Sequence, residues 1–202
     1  MPITDPQPAR SAASGPGAPL LLTVISASVR DDRVGRTIAD WVATRTRAGH
    51  ADVSLVDLAE IQLPDDRLLR PGGGGRTSIA DQIDASDGFV VVTPEYNHSY
   101  PAPLKRAIDW HYGEWMFKAA TVVSYGAHGG RIATEHLRGV FAELHVATTR
   151  STVGLTAPWN DVGPAGYDAP EGVDVAMDRA LAELTWWASA LRQARTERPL
   201  PR

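Results

Sequence analysis

The sequence FVVVTPEYNHSYPAPLKRAIDW, residues 89–110, decides the fold. It opens with an unbroken apolar run at 89–92, which is typical of a strand buried on both faces. A polar loop rich in proline follows, and apolar residues then recur at helical spacing from Leu104 to Ile108. A strand that leads through a loop into a helix is the repeating half of a βαβ unit. The stretch therefore predicts an α/β fold around a parallel sheet.

The same alternation continues on both sides of this stretch. Further strands are predicted at residues 20–25, 53–56, 121–124 and somewhere within 146–155. Helical periods are predicted at residues 34–45, 78–85, 133–144 and 173–195. Five strands that alternate with helices predict a doubly wound parallel sheet with helices on both faces. Such folds bind ligands beyond the carboxyl ends of their strands, which directs attention to the loops after Ile25, Val92 and Ser124.

Composition excludes several classes of protein. The 202 residues are 43% hydrophobic and 22% charged, which is ordinary for a globular domain with one core. The net charge is −4 and no run of Lys or Arg marks a nucleic-acid surface. No apolar stretch approaches the roughly 20 residues of a membrane helix. The sequence has no Cys, so disulfides, thiolate nucleophiles and Cys-built metal sites are excluded, and redox chemistry would need a bound cofactor.

The chain is predicted to hold one domain. Residues 1–19 are rich in proline and glycine and offer little apolar surface, so we expect a disordered tail there. The domain is expected at residues 20–197. The apolar run at 20–25 is too short for a secretory signal, so a cytoplasmic protein is expected.

Loop one, residues 26–36, combines hydroxyls and guanidinium groups at the start of a predicted helix. It lacks both G-x-G-x-x-G and the nucleoside-triphosphate motif G-x-x-x-x-G-K-[ST]. Even so, a helix N-terminus with Ser28, Arg30 and Arg33 beside it suits a phosphate monoester. The alternative is that Ser28 only caps the helix and the two arginines are solvated.

Loop two, residues 93–103, is dense in polar and aromatic groups. Tyr96 can lie against a ring system and Asn97 can bond ring heteroatoms, while the prolines stiffen the loop. A rigid structural turn is the alternative. Loop three, residues 124–131, contains glycines that let backbone N–H groups approach a flat ligand, or that serve only a turn.

Two of these strings resemble a known family. SVRDDRVGR at residues 28–36 and PEYNHSYPAPLK at 94–105 are similar to the NADPH-dependent FMN reductase family, and the second string is the more specific. The resemblance covers about residues 20–155. It implies a flavodoxin-like fold that binds FMN noncovalently, with NADPH or NADH as the reductant.

The resemblance also implies the cofactor-binding residues. They are Ser28, Arg30, Arg33, Val34 and Gly35 in loop one, Pro94, Glu95, Tyr96 and Asn97 in loop two, and Ser124, Tyr125, Gly126 and Gly129 in loop three. The first set corresponds to the family's phosphate site and the second to its ribityl and isoalloxazine contacts. One departure is Ala27, where the family usually has Gly, and its methyl group is tolerable only at a negative φ.

The expected function is hydride transfer from NAD(P)H to FMN and onward to free flavin, a quinone or another acceptor. The cofactor supplies this chemistry, so no catalytic side chain and no metal site are predicted. The alternative is a nonenzymatic FMN-binding electron carrier or sensor module. Carriers of that type are usually far more acidic, so a net charge of −4 favours the enzyme.

An oligomer is expected as well. The resemblance implies a homodimer or tetramer, and reduced flavin could serve a flavin-dependent monooxygenase partner. Trp110, Trp115, Met116 and Phe117 suggest an apolar interface patch, rimmed by His111, Glu114 and Lys118. The alternative is that these aromatic residues pack under the chain's own C-terminal helix.

Overall fold

A computed structural model describes residues 18–198. The tail predicted at residues 1–19 therefore lies outside the described residues, apart from its last two positions. The strands are β1 (Leu21–Ser26), β2 (Asp52–Asp57), β3 (Gly88–Pro94), β4 (Ala119–Gly126), β5 (Ala147–Thr148), β6 (Val153–Thr156), β7 (Val162–Gly163) and β8 (Gly166–Tyr167). The helices are α1 (Gly35–Ala48), α2 (Ala80–Ala85), α3 (Ala102–Trp110), α4 (Tyr112–Trp115), α5 (Arg131–Glu143) and α6 (Val173–Glu197). No helix between residues 18 and 198 is long and apolar enough to cross a membrane.

The main sheet is parallel, with the order β2-β1-β3-β4-β5. This is the strand order of flavodoxin-like doubly wound folds, so the predicted fold class is confirmed. The fifth position is shared, because β5 and β6 both pair with β4. Between them the chain leaves the ladder, and Ser151 O accepts hydrogen bonds from Thr121 Oγ1 at 3.0 Å and Thr149 Oγ1 at 2.8 Å. These side-chain bonds replace strand pairing and divide the predicted strand in two.

The sheet separates two apolar layers. All of β3 is buried, and its alternate residues point to opposite sides: Val90 and Val92 join α1 and α6, whereas Phe89 and Val91 join α2, α3 and α5. This explains why the sequence of β3 shows no polar alternation. The edge of the sheet that contains the carboxyl ends of β1, β3 and β4 is therefore flanked by helices on both faces.

Of the four residues of the predicted interface patch, Trp110 and Trp115 are buried in the core, whereas Met116 and Phe117 are half-buried. Trp115 is fully buried, and its ring lies 4.5 Å from Phe89 and 5.8 Å from Phe141 between ring centroids. Trp110 is also buried. The alternative location under the C-terminal helix is wrong for Trp115 too, because its apolar layer contains no residue of α6. The short helix α4 returns the chain to the core, which a helical period read from α3 alone does not reveal.

Two of the three residues predicted to rim that patch, His111 and Lys118, are likewise inside the protein, whereas Glu114 is half-buried. Lys118 is buried, and its Nζ donates to the carbonyls of Ile83 and Asp84 at 2.7 Å each. His111 is buried and its ring contacts Ala107 O and Thr77 Oγ1. Both side chains therefore serve the packing of α2 and α3.

Helix α6 carries a pair of exposed tryptophans. Its core side is formed by Met177, Ala180, Leu184 and Ala188, and Trp187 does not belong to this side. Small alanines let α6 lie close to the sheet, which leaves no room for an indole. Trp186 is 64% exposed, Trp187 is 37% exposed, and their rings meet edge to face.

The glycine-rich segment at residues 67–76 makes specific contacts with α3. Gly74 N donates to Trp110 O at 3.2 Å, and a side chain at Gly74 would overlap the Trp110 ring. The neighbouring Asp66 accepts from Trp110 Nε1 and from Arg106. This glycine is therefore required by a close approach of backbone to indole.

Candidate functional site

The three loops identified in the sequence meet at one cleft of about 570 Å³, beyond the carboxyl ends of β1, β3 and β4. Its lining residues are Ser28, Arg30, Asp32, Arg33, Val34, Pro94, Glu95, Tyr96, Asn97, Tyr125, Gly126, Ala127 and Trp159. Ten of these belong to the set predicted from the sequence. The location is where the fold class predicts a ligand.

Loop one leads into α1 without capping it. The N-cap residue is Val34, no side-chain cap is found there within residues 18–198, and the first turn of α1 contains no acidic residue. Ser28 is buried, and its Oγ lies 3.4 Å from Tyr96 Oη. The idea that Ser28 only caps the helix is therefore wrong. The N–H groups of the first turn and their partial positive charge remain suited to an anion.

The two arginines of loop one have different surroundings. Arg33 Nη2 donates to Asp57 Oδ2 at 2.8 Å, and Asp57 lies at the end of β2 with its side chain 1% exposed. Arg36 bonds the same carboxylate at 3.2 Å. Arg30 instead places its guanidinium 4.1 Å from the centre of the Tyr96 ring. Arg33 is thus fixed by an ion pair and Arg30 by an aromatic face, so neither is simply solvated.

Loop two is a tight turn. Tyr96 and Ser99 exchange both backbone hydrogen bonds, at 2.7 and 2.9 Å. The central residues Asn97 and His98 have φ values of 50° and 63°, as a type I′ turn requires. Asn tolerates this conformation well. The turn sets Tyr96 and Asn97 at the cleft.

Glu95 lines the cleft and also caps the helix α5. Its Oε2 accepts hydrogen bonds from the backbone N–H groups of Ile132 at 3.0 Å and Ala133 at 3.3 Å. These are first-turn donors of α5, so Glu95 caps that helix from a distant loop. Its carboxylate ties loop two to the first turn of α5.

Loop three is shaped by close contacts behind the cleft. Ser124 Oγ donates to Gly129 O at 2.9 Å. Gly130 has a φ of 66°, and a Cβ there would come within 2.6 Å of Tyr125 N. Ser124 and Gly129 therefore support the loop without lining the cleft, while Tyr125 and Gly126 line it. Burial raises the pKa of the Tyr125 phenol, so this group stays neutral.

Gly35 supports two residues of the cleft wall, Tyr125 and Ser28, without lining the cleft itself. A Cβ at Gly35 would overlap the Tyr125 hydroxyl and lie 3.1 Å from Ser28 Cβ. Only glycine lets α1 begin this close to loop three. Ala27, the departure from the family pattern, is fully buried, is not in the positive-φ region, and donates from N to Val92 O at 2.9 Å. Its methyl group is accommodated.

Three lining residues were absent from the predicted set. Asp32 belongs to the quoted string of loop one, and Ala127 belongs to loop three. Trp159 comes from the segment after β6, which is a further carboxyl strand end. That position was the available signal for Trp159, because strand ends on one edge of a parallel sheet converge. Among residues 18–198, no group of three His, Asp or Glu side chains is arranged to hold a metal ion.

Comparisons with known proteins agree on one family. The profile of NADPH-dependent FMN reductases matches residues 20–160. An NAD(P)H-dependent FMN reductase of Schizosaccharomyces pombe is 36% identical over 146 residues, covering 68% of this chain and 73% of the relative. A quinone reductase of Escherichia coli is 46% identical over 99 residues, covering 45% and 53%.

A solved structure supports the fold. FerB, the flavoenzyme NAD(P)H:(acceptor) oxidoreductase of Paracoccus denitrificans, has a TM-score of 0.69 and 21% identity, covering 85% of this chain and 98% of FerB. At that identity the likeness concerns architecture alone.

Proposed function

This chain belongs to the NADPH-dependent FMN reductase family, and we propose on that premise that the cleft between its three loops binds FMN. The chain is an NAD(P)H-dependent oxidoreductase with FMN as cofactor, and it drives flavin or quinone reduction. The observation that supports the location best is the convergence of loops one, two and three on one cleft of about 570 Å³. Ligand pockets of this kind typically measure about 300–1,000 Å³.

The polar end of the cleft fits a phosphate monoester. Ser28, Arg30 and Arg33 lie beside the uncapped first turn of α1. In the described part of the chain, Arg33 Nε and Tyr125 Oη are buried with no hydrogen-bond partner. Buried polar groups normally have partners, so these atoms point to a polar ligand. We assign the FMN phosphate to this end and the ring to the end formed by Tyr96, Asn97 and Gly126.

The protein's own contribution is binding and orientation. When bound, FMN would supply the redox chemistry, namely hydride transfer from the nicotinamide and electron transfer to the acceptor. The Asp57 carboxylate fixes Arg33, the Glu95 carboxylate fixes loop two against α5, and Gly126 allows a backbone approach to a planar ligand. The neutral Tyr125 phenol adds no negative charge beside the phosphate end. No side chain needs to act as a general acid or base.

The test is steady NAD(P)H consumption by the purified protein with FMN, using either NADPH or NADH and either excess FMN or menadione as acceptor. The proposal expects many turnovers of NAD(P)H per protein chain. Consumption limited to one equivalent of bound FMN would instead favour the carrier or sensor alternative. Absence of FMN binding would contradict the cofactor assignment.

The assembly and location are part of the same proposal. We propose a homodimer or tetramer in the cytoplasm, where NAD(P)H is available, with reduced flavin able to serve a flavin-dependent monooxygenase. The exposed pair Trp186 and Trp187 supports an interface, because adjacent exposed indoles are costly in water. Light scattering tests this: a mass of 21.7 kDa, that of one chain, would contradict the oligomer.

A further inference from the structure

Trp159 is a large aromatic side chain on the wall of the cleft. We propose that it is a specificity-determining residue on which the planar ring of a quinone-type acceptor stacks. This inference rests on the proposed function, because it names the acceptor class of the same cleft. It concerns the second substrate rather than the binding of FMN.

The position of Trp159 distinguishes it from other exposed apolar residues. Within residues 18–198 the exposed large hydrophobic side chains are Val29, Leu68, Ile132, Trp159, Val175, Trp186 and Trp187. Trp159, at 50% exposure, is the member of this group that lines the cleft. Its accessible indole therefore belongs to the binding surface, whereas Trp186 and Trp187 lie on α6.

The turn that carries Trp159 is held in place by its backbone. Ala157 N donates to Gly126 O at 2.9 Å, which attaches the turn directly to loop three. Ala157 has a φ of 47°, and the following residues close a 3₁₀ turn in which Asp161 N donates to Pro158 O at 3.0 Å. Pro158 itself is buried. Because Ala157 adopts the left-handed backbone conformation, the chain changes direction as it leaves β6.

The segment beyond the turn is anchored to α1. Strands β7 and β8 form a short antiparallel hairpin, and Asp168 N donates to Asp161 O at 2.8 Å. Tyr167 of this hairpin packs edge to face on Trp41 of α1, with ring centroids 5.2 Å apart. The turn that carries Trp159 is thus attached to loop three on its N-terminal side and to α1 on its C-terminal side. A preorganised aromatic wall loses little entropy when a ligand packs on it.

The other aromatic rings of the cleft are already engaged. The Tyr96 ring carries the guanidinium of Arg30 at 4.1 Å. Tyr125 is only 5% exposed. Trp159 therefore presents the largest accessible aromatic surface in the cleft, and at a distance in sequence from the cationic loop one. The turn that carries this stacking surface is attached to loop three at Gly126, which belongs to the end assigned to the ring.

The chemistry of an indole favours a quinone over a compact ionic acceptor. An indole is electron-rich and stacks in an offset manner on flat rings, and a quinone ring is flat and electron-poor. Ferricyanide is a charged octahedral complex with no ring to stack. Removal of Trp159 should therefore affect the two acceptors differently.

The experiment compares Trp159→Ala and Trp159→Phe with the wild-type holoprotein. Trp186→Ala is the matched control, because it removes an exposed indole on α6 that does not line the cleft. Steady-state rates are measured with menadione and with ferricyanide at saturating NADPH. Menadione binding to the oxidised holoprotein is measured separately by equilibrium dialysis without NADPH, and FMN content and thermal unfolding are recorded for every variant.

We expect Trp159→Ala to lower kcat/KM for menadione about tenfold, mainly through KM, and to weaken menadione binding similarly, as one lost ring contact implies. Ferricyanide reduction should change less than about twofold, and Trp159→Phe should recover most of the menadione loss. Equal losses with both acceptors, unchanged menadione values, or loss of FMN from the folded variant would each overturn the assignment. Trp159→Phe decides the matter should the alanine variant not fold. Wild-type protein that consumes no NADPH would contradict the proposed function, while the dialysis would still test Trp159.

Discussion

Arg33 Nη2 donates a 2.8 Å hydrogen bond to Asp57 Oδ2, and this pair joins loop one to the end of β2. The Asp57 side chain is 1% exposed and that of Arg33 is 18% exposed, so the pair is largely shielded from water. A shielded charge that loses its partner is costly, which makes the pair important for stability as well as for the phosphate site. Arg30 has no such partner and is held by the Tyr96 ring.

The first prediction is that Arg30 and Arg33 both contribute to FMN binding, whereas only Arg33 contributes to the stability of the protein. Arg30→Ala should weaken FMN binding by about 1–3 kcal/mol, because a charge-assisted hydrogen bond to phosphate is lost, and should leave the unfolding temperature nearly unchanged. Arg33→Ala should weaken FMN binding similarly and also destabilise the protein by about 1–3 kcal/mol. Calorimetric titration and urea unfolding measure the two effects.

Riboflavin, which has no phosphate, is the control ligand for both arginines. The affinity for riboflavin should be nearly the same in the wild-type protein, in Arg30→Ala and in the double variant Arg30→Ala/Arg33→Ala. An equal loss for riboflavin and FMN would show that the arginines act through the fold rather than through the phosphate.

The second prediction concerns Tyr96. Tyr96→Phe keeps the ring beneath Arg30 and should retain most flavin affinity and turnover. Tyr96→Ala removes that ring and should weaken FMN binding by about 1–3 kcal/mol. Fluorescence titration of FMN with each variant measures this. A collapse of turnover in Tyr96→Phe with FMN still bound would make the hydroxyl group catalytic.

The third prediction concerns the cap on α5. Glu95→Ala removes the acceptor for Ile132 N and Ala133 N, and it should lower the free energy of unfolding by about 0.5–2 kcal/mol. Glu143→Ala, an exposed change at the other end of the same helix, is the control and should have little effect. Urea unfolding compares the two. Equal small effects would mean that Glu95 does not cap the helix in solution.

The fourth prediction is a pH dependence of stability. Burial lowers the pKa of Lys118 from 10.5 to about 7. The charged groups that act on it are Asp84, Asp87, Glu114 and Arg195. Between pH 7 and 10.5 the unfolded chain binds more protons at this lysine than the folded chain does, so its contribution to stability rises with pH across that window.

Lys118→Met tests this directly, because it retains an apolar stem without a titratable group. The difference in unfolding free energy between Lys118→Met and wild type should be larger at pH 7 than at pH 9, with Met favoured more at the lower pH. A difference that is independent of pH would contradict the lowered pKa. Lys105→Met, at a partly exposed lysine paired with Asp109, is the control.

Most of the architecture was predictable because the strands are apolar runs of the length that a buried parallel sheet requires. The convergence of the three loops followed from the same pattern, since carboxyl strand ends share one edge. The interruption between β5 and β6 was not predictable, because Thr121 and Ser151 are 30 residues apart and their hydrogen bond is a tertiary contact.

The remaining errors have the same origin. Trp115 belongs to the core because α4 folds back toward Phe89, and a periodic pattern does not report such a turn. The pairing of Arg33 with Asp57 and the cap from Glu95 to α5 also join distant segments. Local sequence patterns indicate which residues are buried or polar, whereas these partners are selected only when the layers pack.

A crystal structure of the protein with FMN bound would test the assignment of the cofactor site directly. We expect the phosphate beside Ser28, Arg30 and Arg33 at the first turn of α1, and the ring at the end of the cleft formed by Tyr96, Asn97 and Gly126. FMN bound outside this cleft, or with its phosphate away from loop one, would contradict the account.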